Sequence, residues 1–216
     1  MRLERFNSEG LEPIGEGEEK IVFLDPKNKE RVIAEAKESD FLERETPRQL
    51  KGRYYLTQIV HLLLPENIPA VYQASESLDG LQSVDAQHIP HTESHKQLVG
   101  ARHLYKERIA IEEEVAKEIG KEIHDLNSKL ADLGFYLEID DDLVNYIKDE
   151  KGNVQYIETF KPWEFKDKGY SGVLFDEKLL RKAIGEATDE QVRKKCNSHL
   201  ERLLTLFKEE EQELKK

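Results

Sequence analysis

Residues 140–160 read DDDLVNYIKDEKGNVQYIETF, and they carry the residue types that bind a hard cation and move a proton. Asp140 and Asn145 stand five positions apart, and Glu158 follows thirteen after Asn145. Two short apolar runs flank the charged turn DEKGN, which predicts a β-hairpin. A hairpin turning near Gly152 carries Asn145 and Glu158 back to the same end. Oxygen donors gathered in this way suit Mg²⁺, which takes one or two protein ligands and fills its shell with water and phosphate oxygens. An acid beside such a site, here Asp140, can accept a proton from an attacking hydroxyl.

Other elements must position these residues. The N-terminal quarter predicts β structure, with Gly15 and Gly17 ahead of a strand at 20–24. A turn at Asp25-Pro26-Lys27-Asn28 then leads to a strand at 31–36. A helix is expected from Pro47, a residue tolerated in a first turn, with Thr46 as its cap. Leu50, Tyr54, Ile59 and Leu63 give it an apolar stripe, and Pro65 ends it. IPAVYQAS and LQSVDAQ read as two more strands around a turn at 78–80. A long helix over 103–133 has Val115, Ile119, Ile123, Leu126, Leu130 and Leu133 at steps of four and three, with Gly134 as its stop. Strands are expected at 135–139, 146–148 and 154–158. The C-terminal part is helical, opened by the capping-box pattern Thr188-Asp189-Glu190-Gln191. Val192, Cys196, Leu200, Leu203 and Phe207 form its stripe.

This order predicts an α+β fold in two lobes. The β-rich N-terminal lobe with one helix spans 1–87, a polar hinge spans 88–102, and a helical C-terminal lobe spans 103–216. A cleft between lobes is where a ligand is expected.

Composition narrows the partners. The chain has 216 residues, with 33 Lys and Arg against 45 Asp and Glu, a net charge of −12. That balance gives nucleic acid no general basic face and disfavours an anionic membrane surface. No apolar run approaches the roughly 18 residues of a spanning helix. The single cysteine, Cys196, can form no internal disulfide, which fits a reducing cytoplasmic setting. It reads as an inert core residue on a helical stripe. His88, His91, His95 and His103 fall in the polar hinge with no closing ligand pattern. Trp163 reads as packing in the lower lobe.

The ordered motifs resemble the protein-kinase-like phosphotransferases. Asp140-x-x-x-x-Asn145 resembles the catalytic loop D-x-x-x-x-N, and Glu158-Thr159-Phe160 stands where that family has D-F-G. GEGEEKIV resembles the glycine-rich loop, with Gly15, Gly17 and Val22 in place. Lys37 falls about where the phosphate-binding lysine belongs. The resemblance covers roughly residues 11–163. It is nearer to the compact, atypical kinases of the aminoglycoside phosphotransferase, RIO and lipopolysaccharide-kinase types, since no activation segment follows Glu158. It implies a small antiparallel β lobe above a compact, mostly helical lobe. It implies ATP and Mg²⁺ as cofactors, with Gly15, Gly17, Val22 and Lys37 on the nucleotide. Asn145 and Glu158 would then hold the metal, and Asp140 would serve as the catalytic acid-base. The acceptor, small molecule or protein, is left open. The sequence departs from the family at several points. Lys20 replaces the third glycine, Glu138-Ile139 replaces His-Arg, and Glu35 stands two before Lys37. These departures allow the alternative of a pseudokinase that binds or scaffolds without turnover.

Overall fold

The computed structural model describes residues 10–16, 20–36, 46–76, 82–90, 105–135, 143–166 and 170–215. Apart from Phe135, the expected strand at 135–139 lies outside them, as does the expected turn at 78–80. The architecture is α+β. Strands β1 (Pro13–Glu16), β2 (Lys20–Leu24), β3 (Arg31–Ala36), β4 (Val71–Glu76) and β5 (Gln82–Gln87) form one antiparallel sheet in the order β1-β2-β3-β5-β4. The β2–β3 turn is fixed by its own side chains. The Asp25 carboxylate accepts from the Lys27 amide at 2.8 Å, and the Asn28 side chain accepts from the Glu30 amide at 3.0 Å. Such Asx bonds are why Asp and Asn favour turns.

Helix α1 (Pro47–Leu63) enters between β3 and β4. Thr46 caps it in a reciprocal box with Gln49, and Pro47 opens its first turn. The helix belongs to two cores. Leu50 and Tyr54 pack with Val71, Val84 and Ala86 of the sheet. Leu56, Ile59 and Val60 join the larger core instead. There they meet Val115, Ile119, Ile123, Leu126 and Leu130 of α2 (Tyr105–Asp132) and Cys196, Leu200 and Leu203 of the C-terminal helix. The α2 stripe is the one its periodicity predicts. Gly134 ends that helix at φ +89°, and a Cβ there would come within 2.7 Å of the Asp176 carbonyl.

Two hairpins and two further helices follow among the described residues. Hairpin β6 (Tyr146–Lys148) and β7 (Val154–Tyr156) is followed by hairpin β8 (Trp163–Lys166) and β9 (Tyr170–Val173). Helix α3 (Glu177–Glu186) is capped by Asp176, and α4 (Glu190–Leu214) by Asp189. The cap of α4 is thus one residue later than the Thr188 pattern predicts. The Asp189 carboxylate accepts from the amides of Gln191 at 2.6 Å and Val192 at 3.3 Å. A carboxylate also suits the positive end of the helix dipole, so Asp wins over Thr. Among the described residues no helix is long and apolar enough to cross a membrane.

Candidate functional site

The β6–β7 hairpin is built from its turn outward. Asp149 and Asn153 close it, with the Asp149 amide donating to the Asn153 carbonyl at 2.9 Å, and Gly152 takes φ +86°. The Asp149 carboxylate accepts from the amides of Lys151 and Asn153 at 2.9 and 2.8 Å, and from the Gln155 side chain at 3.1 Å. Burial pushes this carboxyl up, but the bonds from Asn153, Gln155 and Lys151 outweigh it and leave its pKa below the ordinary range. A turn held this firmly fixes the register, which sets Tyr146 opposite Tyr156 and Lys148 opposite Val154.

That register decides where the candidate ligands stand. The Ile157 amide donates to the Asn145 carbonyl at 2.9 Å, one rung beyond the strands. Asn145 and Glu158 therefore lie at the same open end, as the sequence predicts, and both are half-buried. Asn145 closes a one-turn 3-10 helix (Leu143–Asn145) and is not a strand residue. An amide oxygen and a carboxylate oxygen are hard donors, of the kind that suits Mg²⁺ and not a soft metal. Among the described residues no group of three or more His, Cys, Asp or Glu gathers as a metal cluster.

The hairpin is fastened to its surroundings at several points. The Tyr156 amide donates to the Asn67 carbonyl at 2.8 Å, and the Asn67 side chain donates to the Val154 carbonyl at 2.8 Å. The Gln155 side chain reaches the Glu66 carbonyl at 2.6 Å, and the Tyr146 hydroxyl donates to Asn127 of α2 at 3.0 Å. Segment 158–160 is fastened to α1. The Phe160 amide donates to the Thr57 hydroxyl at 3.0 Å, and Thr57 is only 1% exposed. The Arg53 guanidinium donates to both the carbonyl and the hydroxyl of Thr159 at 3.0 Å. Arg53 and Thr57 are one turn apart on one face of the helix.

The sheet places the remaining described candidates. Gly15 pairs with Val22, Val22 with Ala34, and Ala34 with Val84. Directly paired residues share a face, so Gly15, Val22 and Ala34 form one row across the sheet. Glu35 pairs with Ile21 and belongs to the opposite face. The residue sharing a face with Val22 is therefore alanine, not Glu35. Gly17, Lys37 and Asp140 lie outside the described residues. The Gln58 side-chain amide donates to the Val71 carbonyl.

No family model matches the chain, and no curated protein sequence matches it. Among solved structures, the GDP complex of a point mutant of aminoglycoside 2'-phosphotransferase-IIIa is similar over 92% of this chain and 80% of that one. The identity is 11% and the TM-score 0.33. At that value the superposition assigns no residue-to-residue correspondence.

Several groups that could react are structural here. Cys196 is fully buried, and burial pushes its thiol up to about 11. Trp163 is fully buried, and its indole N–H donates to Glu210 at 3.1 Å. Glu210, 3% exposed, also accepts from the Thr46 hydroxyl. His88 bonds the Lys29 carbonyl at 3.0 Å. Sequence reading missed Arg53, Thr57, Asn67 and Glu210. Thr57 carried a signal, being a polar residue among Leu56, Ile59 and Val60.

Proposed function

We propose that this chain is an atypical, minimal kinase-like phosphotransferase, moving a phosphoryl group from ATP to a hydroxyl acceptor. The observation that carries the reading is the hairpin register, which puts Asn145 and Glu158 at one open end. It is supported by the element order of a glycine-bearing hairpin, a strand running up to Lys37 and then a helix, the order in which a kinase small lobe presents its phosphate-binding parts. In this reading residues 1–87 are the small lobe, 88–102 the hinge and 103–216 the large lobe.

Each residue then has a role. The backbone at Gly15 and Gly17 approaches the phosphates closely because no Cβ intervenes. Val22, with Ala34 beside it, gives the base an apolar floor. Lys37 donates to α- and β-phosphate oxygens. Asn145 and Glu158 offer oxygens to Mg²⁺, which when bound neutralises charge on the phosphates. Asp140 accepts the proton of the attacking hydroxyl. Little covalent chemistry is asked of the protein, so the rate rests on positioning and charge. The protein works in the cytoplasm, where its nucleotide is available and its one thiol stays reduced.

Thermal unfolding tests this directly. ATP with Mg²⁺ at a hundredfold its Kd stabilises the fold by about 2.7 kcal/mol. For a chain of this size that is roughly 5–11 °C in Tm. An unchanged melt refutes a nucleotide site and leaves an acidic interaction protein. Turnover is tested by ATP hydrolysis or autophosphorylation, which Asp140→Ala abolishes. An unchanged rate in that variant removes Asp140 from the mechanism.

One observation favours the second reading, a pseudokinase. The face of α1 that meets segment 158–160 carries Arg53, a permanent cation, hydrogen-bonded to the residue after Glu158. A guanidinium there supplies charge where a kinase uses metal. Nucleotide binding without turnover decides for this reading.

A further inference from the structure

Segment 158–160 has no regular secondary structure beyond β7, so its course must be fixed by something else. Three hydrogen bonds to two residues of α1 fix it. The Phe160 amide is held by the Thr57 hydroxyl at 3.0 Å, in a buried setting. The Thr159 carbonyl and hydroxyl are held by Arg53 at 3.0 Å each. Around them Phe160 is 3% exposed and packs against Phe135 at 5.0 Å and Tyr156 at 5.5 Å between ring centres. Glu158 precedes these anchored residues directly, so its carboxylate has little backbone freedom left.

We infer that Thr57 and Arg53 are positioning residues for the Glu158 carboxylate, holding it at the open end of the hairpin beside Asn145. The inference rests on the reading of Asn145 and Glu158 as metal ligands. It goes further by assigning the metal acid's placement to α1. The helix is suited to the task because it is itself clamped. Its N-terminal Thr46 is bonded to Glu210 of α4 and its Gln58 to the Val71 carbonyl. A hydroxyl on a rigid, buried helix is a fixed point, and an amide anchored to it cannot drift. Positioning of this kind affects metal-dependent affinity and leaves the metal-free contacts alone.

The test uses the full chain and two variants of one residue. Thr57→Val removes the hydroxyl and keeps the shape, while Thr57→Ser keeps the hydroxyl. ATP is titrated by calorimetry with Mg²⁺ and again with EDTA, and amide exchange of residues 157–161 is followed without nucleotide. The wild type is expected to bind ATP more tightly with Mg²⁺. Thr57→Val should weaken only the Mg²⁺-dependent affinity, by about tenfold, and speed exchange at Phe160 by a similar factor. Thr57→Ser should restore both. Thr57→Ala, which also removes the hydroxyl without changing charge, should act in the same direction if Thr57→Val does not fold. Equal weakening with and without Mg²⁺, or no weakening with exchange unchanged, overturns the inference and leaves the nucleotide reading standing. A wild type that binds no ATP under either condition overturns the nucleotide reading itself, and this inference with it.

Discussion

Glu210→Ala removes the acceptor that ties α4 to both α1 and the β8–β9 hairpin. Its carboxylate receives the Trp163 indole N–H at 3.1 Å and the Thr46 hydroxyl. Trp163 is fully buried, so its N–H has no water to turn to and loses the whole bond. A buried donor left unmade costs about 1–3 kcal/mol, and the Thr46 hydroxyl, half-buried, falls at the low end of that range. The sum is about 3 kcal/mol, or roughly 6–12 °C in Tm for a chain this long. Trp163 is the only tryptophan, so denaturant unfolding read by its fluorescence reports from the site itself. Glu210→Gln keeps one acceptor oxygen and should lose about half as much. Trp163→Phe, read by circular dichroism, closes a double-mutant cycle whose coupling should exceed about 1 kcal/mol. A loss below about 0.5 kcal/mol in Glu210→Ala, the range of an ordinary surface change, would refute the reasoning. So would a coupling of zero. The neighbouring pair Arg48–Glu213 is solvent-exposed and should contribute little, and less as salt rises.

Two further outcomes follow from the same interfaces. Gly52→Ala places a Cβ 2.7 Å from Pro162 Cγ and from two ring atoms of Trp163. Alanine gains about 1 kcal/mol of helix propensity, but overpacking costs about 1–3 kcal/mol and the indole is tethered by Glu210. A net loss of about 1 kcal/mol in chemical denaturation is expected, and a variant as stable as wild type would show that the ring can move aside. His199 lies at the α1–α4 contact, its ring 5.6 Å from Tyr55 and 6.3 Å from Tyr54, and its Nδ1 is buried without a partner. Burial, then the cations Arg202 and Lys195, hold its pKa below the ordinary value. The unfolded chain therefore takes up a proton before the folded one does. Stability is full above about pH 6.5 and falls as pH drops from there through the folded pKa. Tm measured from about pH 7.5 to about pH 5 should decline less steeply in His199→Gln than in wild type, and equal slopes would exclude His199 as the source.

How much was legible in the sequence depended on how local the signal was. The α2 stripe, the Thr46 cap, the strands at 20–24 and 31–36 and the hairpin turn were all readable, because each is decided within a few residues. The pairing of Asn145 with the 157–158 end was readable for the same reason, since turn length fixes register. Face assignment in the sheet was not. Lys37 suggests Glu35 as the residue beneath a bound base, but Val22 pairs with Ala34, a register set by the length of the β2–β3 connection and not by spacing from Lys37. Thr57 and Glu210 escaped for a related reason. Their partners Phe160 and Trp163 lie 103 and 47 residues away, and no periodicity reports a bond of that span.

Arg53 then sets the terms on which a metal could be held. Its guanidinium is bonded at 3.0 Å to Thr159, the residue next to Glu158, and a cation held near a metal site opposes the arrival of a second cation. A metal ion on its own therefore meets repulsion as well as a ligand. On the proposed reading nucleotide phosphates would reverse that balance, because they would bring several negative charges into the same volume. If Glu158 holds a metal, as proposed above, metal and triphosphate would be expected to arrive as one unit. On that reading α1 has a double part, since the helix that holds the Phe160 amide through Thr57 also carries the Arg53 cation bonded to Thr159.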